Sequence, residues 1–490
     1  MVKKCGRIDL RLKSIISIIF VLPCLLLGEI LHSQKGYLNL GTIHRLKDGS
    51  IIKIPYRMAT YESIQSYKNI NLNFSAALEF RLNDINDILN SKFSYDTREL
   101  YFEYFLPFGD LSIGKQIITW GSASENNPTD NISPYNYYYL FSIGKEKKEG
   151  LLSLSTNLYW NDIKINTIFI PNHKPNILPL NDPEFAISSP IIPKNEQILS
   201  LNKNNEYGLA ISYPFNSTEL TLSYFSGYDR IVSFFGANVW ANKAFDISSI
   251  IPDTILSFRK TNVIGCGFST FIGDFTLKSD FGYFNTYHNI EDTLQLSSRK
   301  YESGIEFIIK DCEEKNADLP IWADKKNCIN EPILKETLIL DNTAEYYQYT
   351  FEVEYNPNLD LNIIGQYSRY KAFKFGKADS LTLSEPILLY PKDLFIPGIG
   401  APNTLISNNA LSFIILKNFP DIDLEIRSTN LLDLDKKGAL FELGIEYKIY
   451  NNTKILVAIN KIVANKKIDE NPFIGMEDFS HLRAEIKYFY

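Results

Sequence analysis

The sequence predicts an all-β protein: a transmembrane, antiparallel, up-and-down β-barrel with short turns at one end and long loops at the other. Three observations predict it. Apolar and polar residues alternate over segments longer than soluble strands need. Connections between these segments fall into a short class and a long class. The chain also opens on an export-type leader. The 30 Tyr and 32 Phe among 490 residues agree, because aromatic and β-branched side chains suit a pleated, half-exposed surface.

The leader comes first. Lys3, Lys4, Arg7, Arg11 and Lys13 precede an apolar run from Ile15 to Leu27. That core of about 13 residues is too short to span a bilayer, which takes about 20. Leu31-His32-Ser33 ahead of Gln34 reads as a cleavage site. Pro23 before Cys24 is a poor lipidation context. Residues 1–33 are therefore expected to be a signal peptide, and 34–69 either a periplasmic lead-in or an extra strand. The barrel proper is expected over 70–490. Beyond the leader, no apolar run of about 18 residues suggests a helical span.

Alternation is clearest at Ile70, Leu72, Phe74, Ala76, Leu78, Phe80 and Leu82. In a strand these side chains share one face. A run of 13 residues exceeds the usual soluble strand and suits a spanning one, which needs about 9–11. The same reading gives about 16 strands: 70–82, 97–107, 111–120, 151–160, 163–170, 206–213, 219–228, 261–271, 274–284, 345–355, 359–369, 409–418, 422–430, 439–449, 453–462 and 480–490. Counts of 14 or 18 are the alternatives. Eighteen follows if 301–309 and 333–340 also span; otherwise 301–309 is expected in a β-hairpin within a 286–343 loop insertion. Turn signals such as Asn161-Asp162, Gly273-Asp274 and Asn451-Asn452 join neighbouring runs. Long polar connections at 121–149, 172–205, 229–259, 286–343 and 370–408 face the other way. In outer-membrane barrels the short turns are periplasmic and the long loops extracellular. The last strand alternates through Leu482, Ala484, Ile486, Tyr488 and Tyr490. Such an aromatic end is what the barrel-assembly machinery recognises, so that machinery and outer-membrane lipid are expected partners.

Charge and cysteine narrow the function. The formal charge is −7, and removing a leader with five bases and two acids takes it to about −10. Nucleic-acid binding, which needs clustered Lys and Arg, is not expected. The acidic balance leans weakly towards cations or neutral solutes. Cys312 and Cys328 share one polar segment and could form a disulfide in an oxidising compartment; two free thiols are the alternative. No spacing suggests a metal or a cofactor. No G-x-S-x-G occurs, and His173, His288 and His481 lie in unrelated contexts, so no enzyme is expected.

One segment carries a motif. Gly114, Lys115, Gln116, Trp120 and Gly121 fit G-[K/R]-Q-x-x-x-W-G, and Asn127, Pro128 and Asp130 fit N-P-x-D. The segment resembles a family of porin-like outer-membrane proteins of unassigned function, over roughly residues 70–190. The resemblance implies a barrel with a pore or substrate path, and no particular substrate. By parity, Gly114 and Gln116 point inward with Trp120 near the mouth, while Lys115 shares the outer face with Ile113. The loop from Gly121 could fold into the lumen. Gln116, Trp120 and Asp130 then either anchor that loop to the wall or touch solute. Charges on other polar strand faces, among them Lys278, Asp280, Glu352, Glu354, Glu425 and Arg427, are expected in the lumen, as salt bridges or as a selectivity filter. Tyr135, Tyr137, Tyr138, Tyr139 and Phe141 are expected at the membrane interface, a greasy slide for solutes being the alternative. These features predict an outer-membrane channel or transporter for small solutes; the alternative is a surface-binding or assembly barrel acting through its loops.

Overall fold

The computed structural model describes residues 31–82, 92–140, 142, 144–180, 182–185, 193–201, 203–241, 250–288, 303–320, 322–325, 333–381, 387–468 and 471–490. The strands run β1 (Leu31–Arg45), β2 (Tyr56–Tyr67), β3 (Ile70–Arg81), β4 (Lys92–Leu106), β5 (Gly109–Gln116), β6 (Leu151–Trp160), β7 (Ile163–Ile170) and β8 (Glu206–Phe215). They continue as β9 (Thr218–Tyr228), β10 (Ser233–Ala241), β11 (Ile250–Ser257), β12 (Lys260–Ile272), β13 (Phe275–Tyr287), β14 (Ile333–Ile339), β15 (Ala344–Asn358) and β16 (Leu361–Phe375). The last are β17 (Asp379–Leu381), β18 (Ile387–Leu389), β19 (Asn409–Phe419), β20 (Leu424–Asp433), β21 (Ala439–Tyr450), β22 (Thr453–Val463) and β23 (His481–Phe489).

Eighteen of these make one antiparallel sheet that closes on itself. β23 returns to β1, with Tyr37 opposite Phe489 and Arg45 opposite His481. Closure leaves no edge strand, so every backbone group in the wall finds a partner without water. The count is 18 rather than 16, and the extra pair is β1 and β2, drawn from the segment left open between lead-in and strand. The other route to 18 is not the one taken. Residues 303–309 belong to a helix, α1 (Ser303–Ala317), which overturns the expected hairpin; 301 and 302 lie outside the described residues. β14 pairs with β10, and β10 with β11, in a three-stranded sheet separate from the wall.

The period-two pattern sorts the side chains as its chemistry demands. One row across five strands shows it: Phe102 opposes Ile113, Ile113 opposes Leu154, Leu154 opposes Phe169, and Phe169 opposes Tyr207. These side chains are 37–55% exposed. Behind them Ser112, Ser153 and Ser155 are buried. Leaving one large apolar side chain in water forgoes about 1.5–3 kcal/mol, so a continuous band of them is a surface made for acyl chains. Aromatic residues mark its two borders. Trp160, Phe215, Phe271 and Tyr450 lie by the short turns, and Phe93, Tyr95, Tyr207 and Phe373 by the loops, all exposed.

The turns match their sequence signals. Asn161 and Asn216 sit at φ 50° and 52°, a left-handed conformation that asparagine tolerates better than most residues. Both described chain ends, Leu31 and Tyr490, share the short-turn end. Among the described residues, the long connections start and end at the opposite mouth.

Candidate functional site

The connection between β5 and β6, residues 117–150, turns into the lumen, and the motif residues make it do so. Gly114 has φ +138°, and a Cβ there would lie 2.3 Å from the Leu100 carbonyl oxygen. Gln116 is buried, donates to the Ser153 carbonyl at 3.1 Å and accepts from Ser155 Oγ at 3.0 Å. It therefore ties the end of β5 to β6. The Trp120 indole N–H donates to Asn166 Oδ1 at 3.0 Å on β7. Gly121 then turns the chain inward at φ +91°, where a Cβ would meet the Asn127 side chain at 2.0 Å; only glycine fits that position.

The N-P-x-D half folds the loop on itself. Asp130 accepts from the Trp120 backbone N–H at 3.1 Å and pairs with the buried Lys148. Burial pulls the Lys148 ammonium below the usual lysine range, with the Asp130 carboxylate opposing that shift. Asn127 Oδ1 accepts from the Thr129 N–H and hydroxyl, both at 2.8 Å.

The wall supplies the other half of the attachment. Asp280 on β13 is 1% exposed. It accepts from the N–H of Ser122 at 2.9 Å and of Ala123 at 2.6 Å, from Asn127 Nδ2 at 3.2 Å and from Thr129 Oγ1 at 3.1 Å. Glu352 on β15 accepts from the Ser124 N–H at 3.0 Å and hydroxyl at 2.8 Å, and from Gln366 Nε2 at 2.8 Å. Lys278 completes the cluster, 3.2 Å from Glu352 and 2.9 Å from Glu354. Two wall carboxylates thus hold loop amides roughly as an N-cap carboxylate holds helix amides.

The loop divides what it crosses. Towards β4–β13 it leaves a cavity of about 580 Å³, lined by Gln116, Trp120, Ser155, Asn166, Ser212 and Thr221 among others. Towards β19–β21 a smaller cavity of about 90 Å³ lies between Glu125 and Lys147 of the loop and Arg427, Thr429 and Ile414 of the wall. Glu125 pairs with Lys147. Arg427 has no carboxylate within ion-pair distance among the described residues; its Nε lies 3.4 Å from Thr429 Oγ1. Arg483 beside it is half-paired, 3.6 Å from both Glu442 and Glu485. Nearby, Lys454 pairs with Glu446 and Lys487 with Glu485.

The structure brings Lys278, Asp280, Glu352 and Glu354 into one cluster and Gln116, Trp120 and Asp130 into the loop they begin. Glu425 and Arg427 stand apart, on β20, and do not touch that cluster. Lys115 lies with the outer-face residues, 3.2 Å from Asp96. The tyrosine run is not at an interface. Tyr135 and Tyr137 are 4% and 2% exposed, inside the folded loop. Tyr137 donates to the Pro402 carbonyl at 3.2 Å and Tyr139 to Glu79 at 2.9 Å, while Tyr138 bonds Asp182. The run cements loop to wall and to other loops, because each hydroxyl finds an acceptor there. Phe141 lies outside the described residues. Cys312, in α1, is disulfide-bonded, and Cys328 lies outside the described residues.

Sequence reading missed several contributors. Arg57 on β2 is 4% exposed, pairs with Glu146 of the loop and lies 4.0 Å over the Tyr139 ring. Arg230 donates to the Ile132 carbonyl at 2.8 Å and pairs with Glu206 at 2.8 Å. An arginine next to apolar strand residues carries no signal for such contacts until the neighbouring strands are known.

No family model and no curated protein matches this sequence. Among solved structures, Acinetobacter baumannii OccAB1 is 8% identical, with 94% of this chain and 96% of that chain covered and a TM-score of 0.45. Pseudomonas aeruginosa OccK8 (OprE) is 10% identical over 94% and 97%, with a TM-score of 0.45. The Vibrio cholerae outer-membrane protein OmpT is 10% identical over 94% and 100%, with a TM-score of 0.38. At these values they are similar to this chain in outline only.

Proposed function

We propose that this chain is an outer-membrane channel that passes small solutes by diffusion through a lumen narrowed by residues 117–150. One observation carries the reading. The first long loop is clamped inside the cylinder by Asp280 and Glu352, and a polar cavity of about 580 Å³ remains beside it. A barrel needed only as a pedestal has no use for a latched internal loop or a wet interior. The outer band is in contact with outer-membrane lipid. Residues 1–33 are the export signal, so that the mature β1 starts near Gln34. The final strand, ending at Tyr490, is the segment that the assembly machinery reads. The test is planar-bilayer recording with refolded, detergent-purified protein. Stepwise ionic conductance is expected; a folded, closed barrel without conductance or solute flux ends the reading.

A second reading has its own observation. The sheet of β10, β11 and β14 is separate from the wall, and Trp322, which follows α1, is 86% exposed. A surface-binding role for these loops is compatible with conduction. It is supported if removing α1 abolishes binding of a partner while conductance is unchanged.

A further inference from the structure

The lumen wall is chemically lopsided. From β20 through β23 it carries Arg427, Glu442, Glu446, Lys454, Arg483 and Glu485, and most of these are paired with one another. Across β5 to β9 the inward side chains that line the 580 Å³ cavity are mainly hydroxyls and amides. They form a belt by register: Ser112 opposes Ser155, Asn157 opposes Asn166, and Ser212 opposes Thr221. The belt is also internally ordered. Asn166 donates to Asn157 at 2.8 Å, and Ser212 and Thr221 share a 2.8 Å hydrogen bond.

The charges that border the belt are held by hydrogen bonds to its own amides or to neighbouring groups. Asp110 accepts from Asn157 at 2.8 Å, Glu103 from Asn71 at 3.1 Å, and Lys145 reaches Glu99 at 3.3 Å. Asp280 is consumed by the loop. Lys164, which opposes Ser212, and Glu219 lie towards the short turns at 161–162 and 216–217.

Trp120 lies against the middle of this belt. Its N–H is fixed by Asn166, and its six-membered ring fits where Gly208 lacks a side chain: a Cβ there would come within 2.6 Å of Cη2. Pinned at two edges on neighbouring strands, the indole is a fixed part of the cavity lining.

We propose that the β5–β9 face of the lumen is a binding subsite for neutral polyhydroxylated solutes of sugar type, with Trp120 as its stacking surface. A polyol exchanges water for hydroxyl and amide partners and lays its C–H face on the indole. An ionic solute would surrender more hydration here than a neutral one, and the hydroxyls and amides of the belt repay a neutral polyol's lost water partners better than an ion's. This inference rests on the channel reading, and one experiment separates the two.

Single-channel current is recorded while trehalose or succinate is titrated into the bath. Trehalose is expected to block the current in a saturable way, and succinate is not. Trp120→Ala should weaken the trehalose block roughly five- to tenfold, the scale of one lost aromatic contact. Trp120→Phe should restore most of it, and Ser212→Ala should weaken it by a smaller factor without touching the loop. Equal block by succinate, or trehalose block unchanged in both Trp120→Ala and Ser212→Ala, overturns the subsite while leaving the channel standing. Absence of any current overturns both.

Discussion

Gly36 and Tyr490 exchange a reciprocal pair of backbone hydrogen bonds, 3.1 Å in each direction, and so fasten the last residue of the chain to its first strand. The Tyr490 hydroxyl also donates to the Thr60 carbonyl at 2.8 Å, one strand further on. The ring crosses β1 where Gly36 has no side chain. A Cβ there would lie 2.3 Å from the Thr60 carbonyl oxygen and 2.6 Å from the Tyr490 ring.

Gly36→Val should therefore loosen the seam rather than the whole wall. Overpacking of this kind costs about 1–3 kcal/mol. The expected outcome is a lower temperature for the loss of the compact, detergent-resistant band on gels. Gly475→Ala, at a position with open space around it, should behave as the parent does. Equal loss in both variants would show that seam closure is not what Gly36 protects.

Asp280 holds the loop by charge as well as by geometry. Asp280→Asn keeps the shape but offers one acceptor oxygen, and it points N–H groups at the amides of Ser122 and Ala123. Hydrogen bonds to a charged group contribute about 1.5–3 kcal/mol each, and at least one is lost outright. The loop should detach part of the time, so mean conductance should rise and the current should become noisier. Glu352→Gln should act in the same direction but more weakly, because Lys278 remains paired with Glu354. A quieter or smaller pore in Asp280→Asn would contradict the latch.

What could be read from the sequence follows from which interactions are local. Strand existence and facing were legible because side-chain parity needs no knowledge of neighbours. β1 and β2 were harder. Gly36 and Thr42 interrupt the face that carries Leu38 and Leu40, and the pairing of β1 depends on β23, more than 400 residues away. The motif from Gly114 to Asp130 was visible as a loop device because Gly121 and Asn127 answer each other within one turn. Its anchors were visible only as inward charges; that Asp280 meets Ala123, 157 residues apart, is a product of the closed cylinder. The tyrosine run misled for the same reason. Exposure at an interface and burial against a lumen loop use the same amphipathic ring, and only the direction of the loop distinguishes them.

Asp182 should give the outer loops an acid limit. This loop residue accepts from Arg81 and from the Tyr138 hydroxyl. Burial pushes its carboxyl up, but those hydrogen bonds outweigh burial and hold it below the ordinary aspartate value of 3.8. A depressed folded value means that its stabilisation is complete above the unfolded value and is lost as pH falls through the folded one. Melting of the purified protein should thus show a falling limb below about pH 4. Asp182→Asn should be less stable at pH 7 and should flatten that limb. A limb of unchanged steepness in the variant would assign it to other carboxylates.

Arg427 and Arg483 should weigh on the sign of ion preference, because they are under-neutralised cations beside the narrow gap. Glu125 across that gap is already paired with Lys147, while Arg427 keeps only a 3.4 Å contact to Thr429 and Arg483 stands at 3.6 Å from its two glutamates. An unpaired charge acts over about 8 Å at physiological salt, and Arg427 lines the same cavity as Glu125. Arg427→Gln should shift the zero-current potential in a salt gradient towards cations, and Arg427→Gln with Arg483→Gln should shift it further. Both shifts should shrink at 1 M salt, where screening cuts the range to about 3 Å. Removing Lys487 instead, which is held by Glu485 at 3.2 Å near the short-turn end, should move the potential little. A shift towards anions in the arginine variants, or an effect from Lys487→Gln as large as theirs, would place the selective charges elsewhere in the wall.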